Sequence, residues 1–494
     1  MIYSSYAFIF GFLPASLLAY HLVRRHVGGH AAIFALIAAS LFFYGYWNPP
    51  YLALLVGSVV ANYGFAWLTS KSESRWPVAL GVVANLAVLG YFKYRNFFLE
   101  NAAYALDIDL SLGGLVVPLA ISFFTFQQIA FLIDCHNRRA ALPPFPNYAA
   151  FIIFFPQLIA GPIVLFREMD KQLQAVAARE DIGLAMAGPG VVIFAIGLFK
   201  KVVVADTLGP YANAAFANAE TLTFLEAWIG STTYALQLYF DFSGYSDMAV
   251  GLALMFGFRI PFNFDTPFRA TSMVEFWKRW HITMTRFFMN YLYSPIAIAF
   301  TRFSMQRRLG RYPDFALTIL IPIFITFALS GLWHGADWTF VMFGLVNAAG
   351  LICNHFWGRF KLPPIPAILG WFLTMIVVVV SFVYFRADTM ADAHAILGAM
   401  AVPTNFALPN WLSGLAEALG APWRSLSLFV QGAYTVRLFV YVALAGILSL
   451  VLANPAADPD SVTPSWRWAA VAAAMLCIAV GLIERPQAFI YFQF

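Results

Sequence analysis

Apolar residues run along this chain in long unbroken stretches, with no polar/apolar alternation of period two. A helix needs about 20 such residues to cross a bilayer core. The runs predict helices near 3–23, 31–47, 50–68, 77–92, 115–133, 148–165, 188–205, 225–240, 242–258, 316–333, 336–353, 366–385, 427–453 and 466–483. Some are short enough to dip into the membrane without crossing, so roughly 11 to 14 embedded helices are expected. The missing alternation excludes an outer-membrane barrel. The first run has no basic start and no small-residue cleavage site, and reads as a membrane helix rather than a signal peptide. No unit of 20–50 residues repeats, and no two halves match.

Residues 260–300 depart from the pattern. Ile260–Arg269 is too polar and too proline-broken to span, and Glu275–His281 is rich in charge and aromatics. An interfacial or re-entrant segment is expected. Non-helical backbone at membrane depth survives only when buried in protein or lining a cavity, so a cavity or tunnel is expected there. The prolines of 140–147 predict a loop, and 401–425, with Pro403, Pro409 and Pro422, a further loop on the outer side. Arg24–Arg25, Lys71–Arg75, Arg138–Arg139 and the cluster Arg302, Arg307, Arg308 and Arg311 alternate consistently if the N-terminus is outside. Lys93 and Arg95 break the alternation and suggest an interfacial helix.

Composition narrows the class. The chain is 61% apolar and 11% charged, with mean hydropathy +0.75. Soluble domains run at roughly 45–50% and about 25%. A soluble enzyme, a disordered chain and a disulfide scaffold are excluded, which leaves an all-α polytopic membrane protein. Cys135, Cys353 and Cys477 have no motif spacing and read as buried or lipid-phase thiols. The net charge of +5 reflects cytoplasmic loops rather than nucleic-acid binding.

Polar groups inside a membrane are expensive, and each is a functional candidate. In Ser330-Gly-Leu-Trp-His-Gly-Ala-Asp-Trp338, His334 lies at a break between two apolar runs beside Gly331, Trp333 and Gly335. Histidine titrates near neutrality and suits general-base work, and the glycines admit a ligand or another backbone. The plainer reading is a hydrogen-bonded core histidine. In Glu275–His281, Trp277 and His281 share a helical face, as do Glu275 and Arg279. The alternative is an interfacial helix with tryptophan anchors. In Asp241–Leu252, Asp241 and Tyr245 share a face, while Gly244, Asp247 and Gly251 line another that permits close packing. Asp241 needs a cation, and Arg269, Lys278 and Arg279 are candidates. Ser243 and Ser246 read equally as polar glue. In Pro118–Gln128, Gln127 and the hydroxyls line a pocket or satisfy neighbouring helices. No metal-ligand spacing, phosphate loop or nucleophile elbow occurs.

Six blocks in order, Pro118–Gln128, Phe155–Pro162, Phe240–Gly251, Ile260–Phe268, Phe276–Pro295 and Ser330–Gly344, together with the start Met1-Ile-Tyr-Ser-Ser, resemble the membrane-bound O-acyltransferase (MBOAT) family, in its alginate O-acetylation branch. The resemblance implies one membrane domain over 1–494, with N-terminal helices over 1–114, a catalytic core over 115–353, and C-terminal helices and tail over 354–494. Its fold is a ring of helices around a central tunnel. It implies acetyl transfer from cytoplasmic acetyl-CoA, with no bound cofactor, toward an extracytoplasmic polysaccharide. Alginate-like exopolysaccharide comes first, with cellulose and peptidoglycan as alternatives. His334 falls on the family's catalytic histidine and His281, 53 residues earlier, on its second conserved position. Trp277, Trp333, Asp241, Tyr245, Ser243 and Gln127 become tunnel candidates. Arg307, Arg308 and Arg311 become candidates for the donor's phosphates.

The resemblance also implies a bacterial inner-membrane location with a periplasmic N-terminus, contact with membrane lipid, and a separate extracytoplasmic acetyltransferase partner of the SGNH-hydrolase type. The end, Phe489-Ile-Tyr-Phe-Gln-Phe494, resembles the C-terminal motif of the small peptide that partners the teichoic-acid D-alanylation acyltransferase. That makes Tyr491 a candidate acyl carrier; the alternative is an aromatic anchor at the interface. A transporter and a non-catalytic scaffold of an exopolysaccharide assembly are the rival readings from other classes.

Overall fold

The computed structural model describes residues 1–108, 113–180, 184–403, 412–418, 433–452, 454–463, 465–483 and 489–490, and every regular element among them is helical. Ala7–His26, Pro49–Lys71, Trp76–Leu106, Arg311–His334, Trp338–Arg359 and Ala367–Arg386 are long and apolar enough to cross a membrane. Gly29–Gly45, Val436–Val451 and Trp466–Gly481 are shorter apolar helices. The protein is an all-α, multi-pass membrane protein. Most of the expected 401–425 loop lies outside the described residues; Ser413–Ala418 within it is a short helix.

Two compact units divide the chain. The first holds Met1–Phe199, Ser243–Asn263 and Pro455–Gln493; the second holds Lys200–Phe242 and Phe264–Asn454.

In the first unit, Pro49–Lys71, Trp76–Leu89 and Ile121–His136 meet through a buried amide network. Asn62 Nδ2 donates to Gln128 Oε1 at 2.7 Å, and Asn85 Nδ2 donates to Asn62 Oδ1 at 2.5 Å. Each amide would be costly alone in an apolar interior, and the Asn62 and Asn85 amides and the Gln128 carbonyl oxygen satisfy one another. Helix Ala187–Phe199 crosses the second half of Phe224–Met255 at its glycines. A methyl carbon built on Gly251 would stand 2.6 Å from the Gly190 carbonyl oxygen, and one on Gly197 would stand 2.5 Å from that of Gly244. Gly244 and Gly251 are the small-residue face read from the sequence, and Asp247 is buried with them.

Three expectations change. The predicted pair 225–240 and 242–258 is one 32-residue helix, Phe224–Met255. Asp241 suggested a break, but it carries no proline and is paired sideways, so the helix runs through it. The predicted span 148–165 is instead Phe145–Ile153, then Phe155–Leu158, then non-helical backbone: Pro156 ends the first helix and is tolerated only in the first turn of the second, and Gly161-Pro162 follows it. Side chains replace the lost ladder. Ser40 Oγ accepts from Phe155 N–H, Tyr3 Oη donates to Phe155 O at 2.6 Å, and Gln157 Nε2 donates to Phe151 O at 2.6 Å. Lys93 and Arg95 sit on no separate interfacial helix. They continue Trp76–Leu106, whose 31 residues are about 46 Å long, well beyond a hydrocarbon core of about 30 Å.

Substituting Gly251→Leu drives a side chain into the backbone of Ala187–Phe199. Overpacking of this kind costs about 1–3 kcal/mol or more. A thermal unfolding scan of the purified chain in detergent should show a clear drop in Tm, and an unchanged Tm would refute close backbone contact at this crossing.

Candidate functional site

The second unit brings His281, Trp333 and His334 together. His334 is the last residue of Ile321–His334 and is buried. Gly335 then leaves the helix with extended backbone, and Asp337 caps the next helix, Trp338–Arg359, by accepting from Thr339 N–H at 2.9 Å. These helices lie in backbone contact, since a methyl on Gly331 would collide with the Phe340 carbonyl and one on Gly344 with the Phe327 carbonyl. Gly331 thus admits another backbone, and Gly335 admits the Phe340 ring. This crossing fixes the end of the first helix and therefore the His334 imidazole, whose ring lies 5.5 Å from Phe343 and 5.2 Å from Phe385.

His281 arrives from the broken region. Met273–Arg279 ends before it and Ile282–Phe288 begins after it, so it does not share a helical face with Trp277 as the spacing suggested. Its backbone is left-handed, with φ 43° and ψ 52°, and it is fully buried. A non-glycine residue pays about 1–3 kcal/mol for such a conformation, and strain of this kind concentrates at functional sites. The surroundings hold the turn in place. Trp280 stacks on Phe276 at 5.5 Å and packs on Phe264 at 5.1 Å and Phe382 at 5.2 Å. Arg279 bridges Asp265 and Glu275, both at 3.1 Å, so the expected Glu275–Arg279 pair forms. The His281 ring meets Phe242 edge-on at 4.7 Å. Trp333 is near both histidines, its ring 6.2 Å from that of His281 and 4.8 Å from that of His334.

A cavity of about 370 Å³ lies beside them, lined by Trp277, Lys278, Thr326, Ser330 and His355 among apolar side chains. Along Ile321–His334 its lining reaches from Ile323 to Ser330, one turn short of His334. Trp277 Nε1 and Thr326 Oγ1 are buried with no hydrogen-bond partner among the described residues. Sequence reading missed Thr326 and His355 here. The available signal was helical phase, with Thr326 and Ser330 four apart and Leu351 and His355 likewise.

Asp241 does not pair with Arg269, Lys278 or Arg279. Its partner is Lys201, whose ammonium lies 2.7 Å from Asp241 and 2.6 Å from Asp206, all but Asp206 almost wholly buried. Arg269 instead caps carbonyls of Leu450 and Val451, and Lys278 faces the cavity. The signal for Lys201 was a lysine pair inside an apolar run, where the backbone locally widens into a π-helix over Lys200–Ala205.

The arginines form an exposed group. Arg307 lies over Phe303, Arg308 ends helix Ser294–Arg307 in a left-handed conformation, and Arg311 donates to Arg359 O at 2.6 Å while lying over Phe360. From Arg311 to His334 is a whole membrane helix, about 35 Å along its axis. Lys278 is the cation that lines the cavity itself.

Tyr245, Ser243 and Gln127 belong to the first unit. Gln127 Nε2 donates to Val164 O at 3.4 Å and tethers the non-helical stretch there. The Ser243 hydroxyl is buried without a partner among the described residues. Tyr245 stacks on Tyr3 at 4.8 Å and receives Phe489 edge-on at 4.4 Å. Phe489 and Ile490 are buried; Tyr491 lies outside the described residues.

Residues 32–389 match the family described as MBOAT, membrane-bound O-acyltransferase. The peptidoglycan O-acetyltransferase of Helicobacter pylori is 34% identical, over 100% of this chain and 98% of its own length. The probable alginate O-acetylase AlgI of Pseudomonas syringae pv. tomato is 36% identical, over 85% of this chain and 78% of its own. The teichoic acid D-alanyltransferase of Streptococcus thermophilus is 28% identical over 68% of this chain and 81% of its own. With the family matched over most of the chain and a full-length relative at this identity, the protein is a member of the membrane-bound O-acyltransferase family and an acyltransferase.

Proposed function

We propose that this acyltransferase takes acetyl groups from cytoplasmic acetyl-CoA and supplies them for O-acetylation of a polysaccharide outside the bacterial inner membrane, with its N-terminus periplasmic. The observation that carries the reading is the placement of two buried histidines close to Trp333, next to a cavity with unpartnered polar groups. His334 acts as general base on the acceptor hydroxyl. The acceptor oxygen bonds to the acetyl carbon, the carbon–sulfur bond breaks, and the proton passes through His334 to the departing thiolate. His281, held in a strained turn, positions the acyl group or stabilises the developing oxyanion. Peptidoglycan and alginate-like exopolysaccharide are the acceptors that the relatives' names support. Mass spectrometry of cell polysaccharides with and without the gene separates them.

His334→Ala should lower acetyl transfer by about 10²–10⁴-fold with folding retained. The measurement is acetyl-CoA turnover by purified protein that elutes as a single species. Near-normal turnover in such a variant would sink the assignment.

Two groups of cations are candidates for the donor's phosphates. Replacing Arg307, Arg308 and Arg311 by Gln together should raise KM for acetyl-CoA more than it lowers kcat. Because these groups are exposed, the effect should shrink as ionic strength rises past about 0.15 M. Lys278→Gln, at the cavity wall and likewise exposed, should raise KM with the same dependence on salt. A KM unchanged in both variants at low salt removes the cationic donor site.

The chain end is proposed as the first acceptor. Phe489, two residues before Tyr491 in the chain, is buried against Tyr245. The Tyr491 phenol would take the acetyl as a phenyl ester. It would then hand it to an SGNH-hydrolase-like extracytoplasmic partner, phenolate being a better leaving group than an alkoxide. Tyr491→Phe keeps the ring and removes the hydroxyl. It should abolish polymer acetylation in cells, and wild-type acetylation in this variant ends the relay.

A further inference from the structure

The second unit has a larger opening that the transfer reaction does not use. It is a groove of about 750 Å³, walled by Trp228 and Leu236 of Phe224–Met255, Trp371 and Met375 of Ala367–Arg386, and Gly446 and Leu450 of Ala433–Val451. Apart from the Thr232 hydroxyl, its polar wall groups are already committed. Trp228 Nε1 donates to Met400 O at 3.1 Å, Trp371 Nε1 to Phe268 O at 2.7 Å, and Ser449 Oγ to Gly446 O at 2.7 Å. An occupant therefore gains contact area and little hydrogen bonding, which selects a hydrocarbon chain over a sugar or a nucleotide.

The flanking helices show where that chain comes from. Phe372, Val440, Leu444 and Ile447 are exposed apolar residues on two of the three helices that wall the groove. Such faces meet acyl chains in a membrane protein.

One end of the groove is cationic. Arg269 is exposed, and its Nε and Nη2 donate to the Leu450 and Val451 carbonyls, at the last turn of Ala433–Val451. It makes no ion pair with a carboxylate, and its Nη1 makes no hydrogen bond, among the described residues. A basic residue at the end of a membrane helix stands at headgroup depth. Guanidinium is also the side chain best suited to a phosphate diester. A single cation without an acidic neighbour complements a headgroup of net charge −1 rather than a zwitterion.

We infer that the groove binds one acidic glycerophospholipid, with an acyl chain against Trp228, Trp371 and Gly446 and its phosphate on Arg269. This site is separate in function from acetyl transfer and does not depend on the reading of His334.

The test uses the full chain, purified in mild detergent and exchanged into mixtures of phosphatidylglycerol and phosphatidylethanolamine, with retained lipid counted by native mass spectrometry. Wild type should retain one phosphatidylglycerol in preference to phosphatidylethanolamine. A methyl built on Gly446 meets nothing within 4 Å, so Gly446→Leu fits the fold while filling the groove and should lose most of the bound lipid. Arg269→Gln should keep a lipid but weaken the phosphatidylglycerol preference roughly fivefold, as expected for one basic group. Equal retention in wild type and Gly446→Leu overturns the site, and so does a wild type with no headgroup preference. Should Gly446→Leu not fold, Arg269→Gln decides alone, and an unchanged preference overturns the proposal.

Discussion

A hydrocarbon surrounding supplies no hydrogen bonds, so polar side chains and breaks in a helix draw their partners from inside the protein. This constraint organises both units. In the first, Pro156 interrupts a helix, and Ser40, Tyr3 and Gln157 take over the backbone groups around the break. Asn62, Asn85 and Gln128 close a network among three helices. In the second, Lys201 meets two carboxylates with the cation almost fully enclosed. Such a cluster is poor value as stabilisation, because desolvation offsets most of the attraction. It is a strong determinant of geometry, because removing Lys201 leaves buried carboxylate charge unmatched.

The same constraint explains how a membrane helix can end at His334. A helix terminus leaves carbonyls and N–H groups unpaired. Here the following helix begins within four residues, capped by Asp337, and Gly331 and Gly344 bring the two backbones together. The turn is thereby enclosed in protein, and the imidazole is held in an aromatic cradle. His281 reaches the same place by another route, through a left-handed residue between two short helices, held by Trp280 and by the Arg279 ion pairs. Two turns of different construction fix two rings close to Trp333. Rigid placement of this kind is what positioning a thioester and its acceptor demands.

Much of this was legible in the chain. Hydrophobic run lengths carry the class of fold, because a bilayer sets a minimum length for an apolar helix. Expensive residues in apolar company, His334, His281 and Asp241 among them, mark themselves, because an idle charge or imidazole there would be selected against on energy alone. The small-residue face at Gly244 and Gly251 was visible too, since its period is helical and its meaning is close approach.

What the chain could not reveal was partnership between distant residues. Asp241 has several cations in its sequence neighbourhood, and only folding selects Lys201. The two halves of Phe224–Met255 looked like separate helices until that ion pair removed the reason for a break. The face shared by Trp277 and His281 held on a helical wheel and failed in space, because the helix stops at Arg279 and His281 turns left-handed. Local sequence by itself determined that this is a helical membrane protein with a few polar positions worth their cost. The tertiary structure alone decided which of those positions meet, because pairing is set by packing contacts between residues far apart in sequence, and local periodicity carries no information about them.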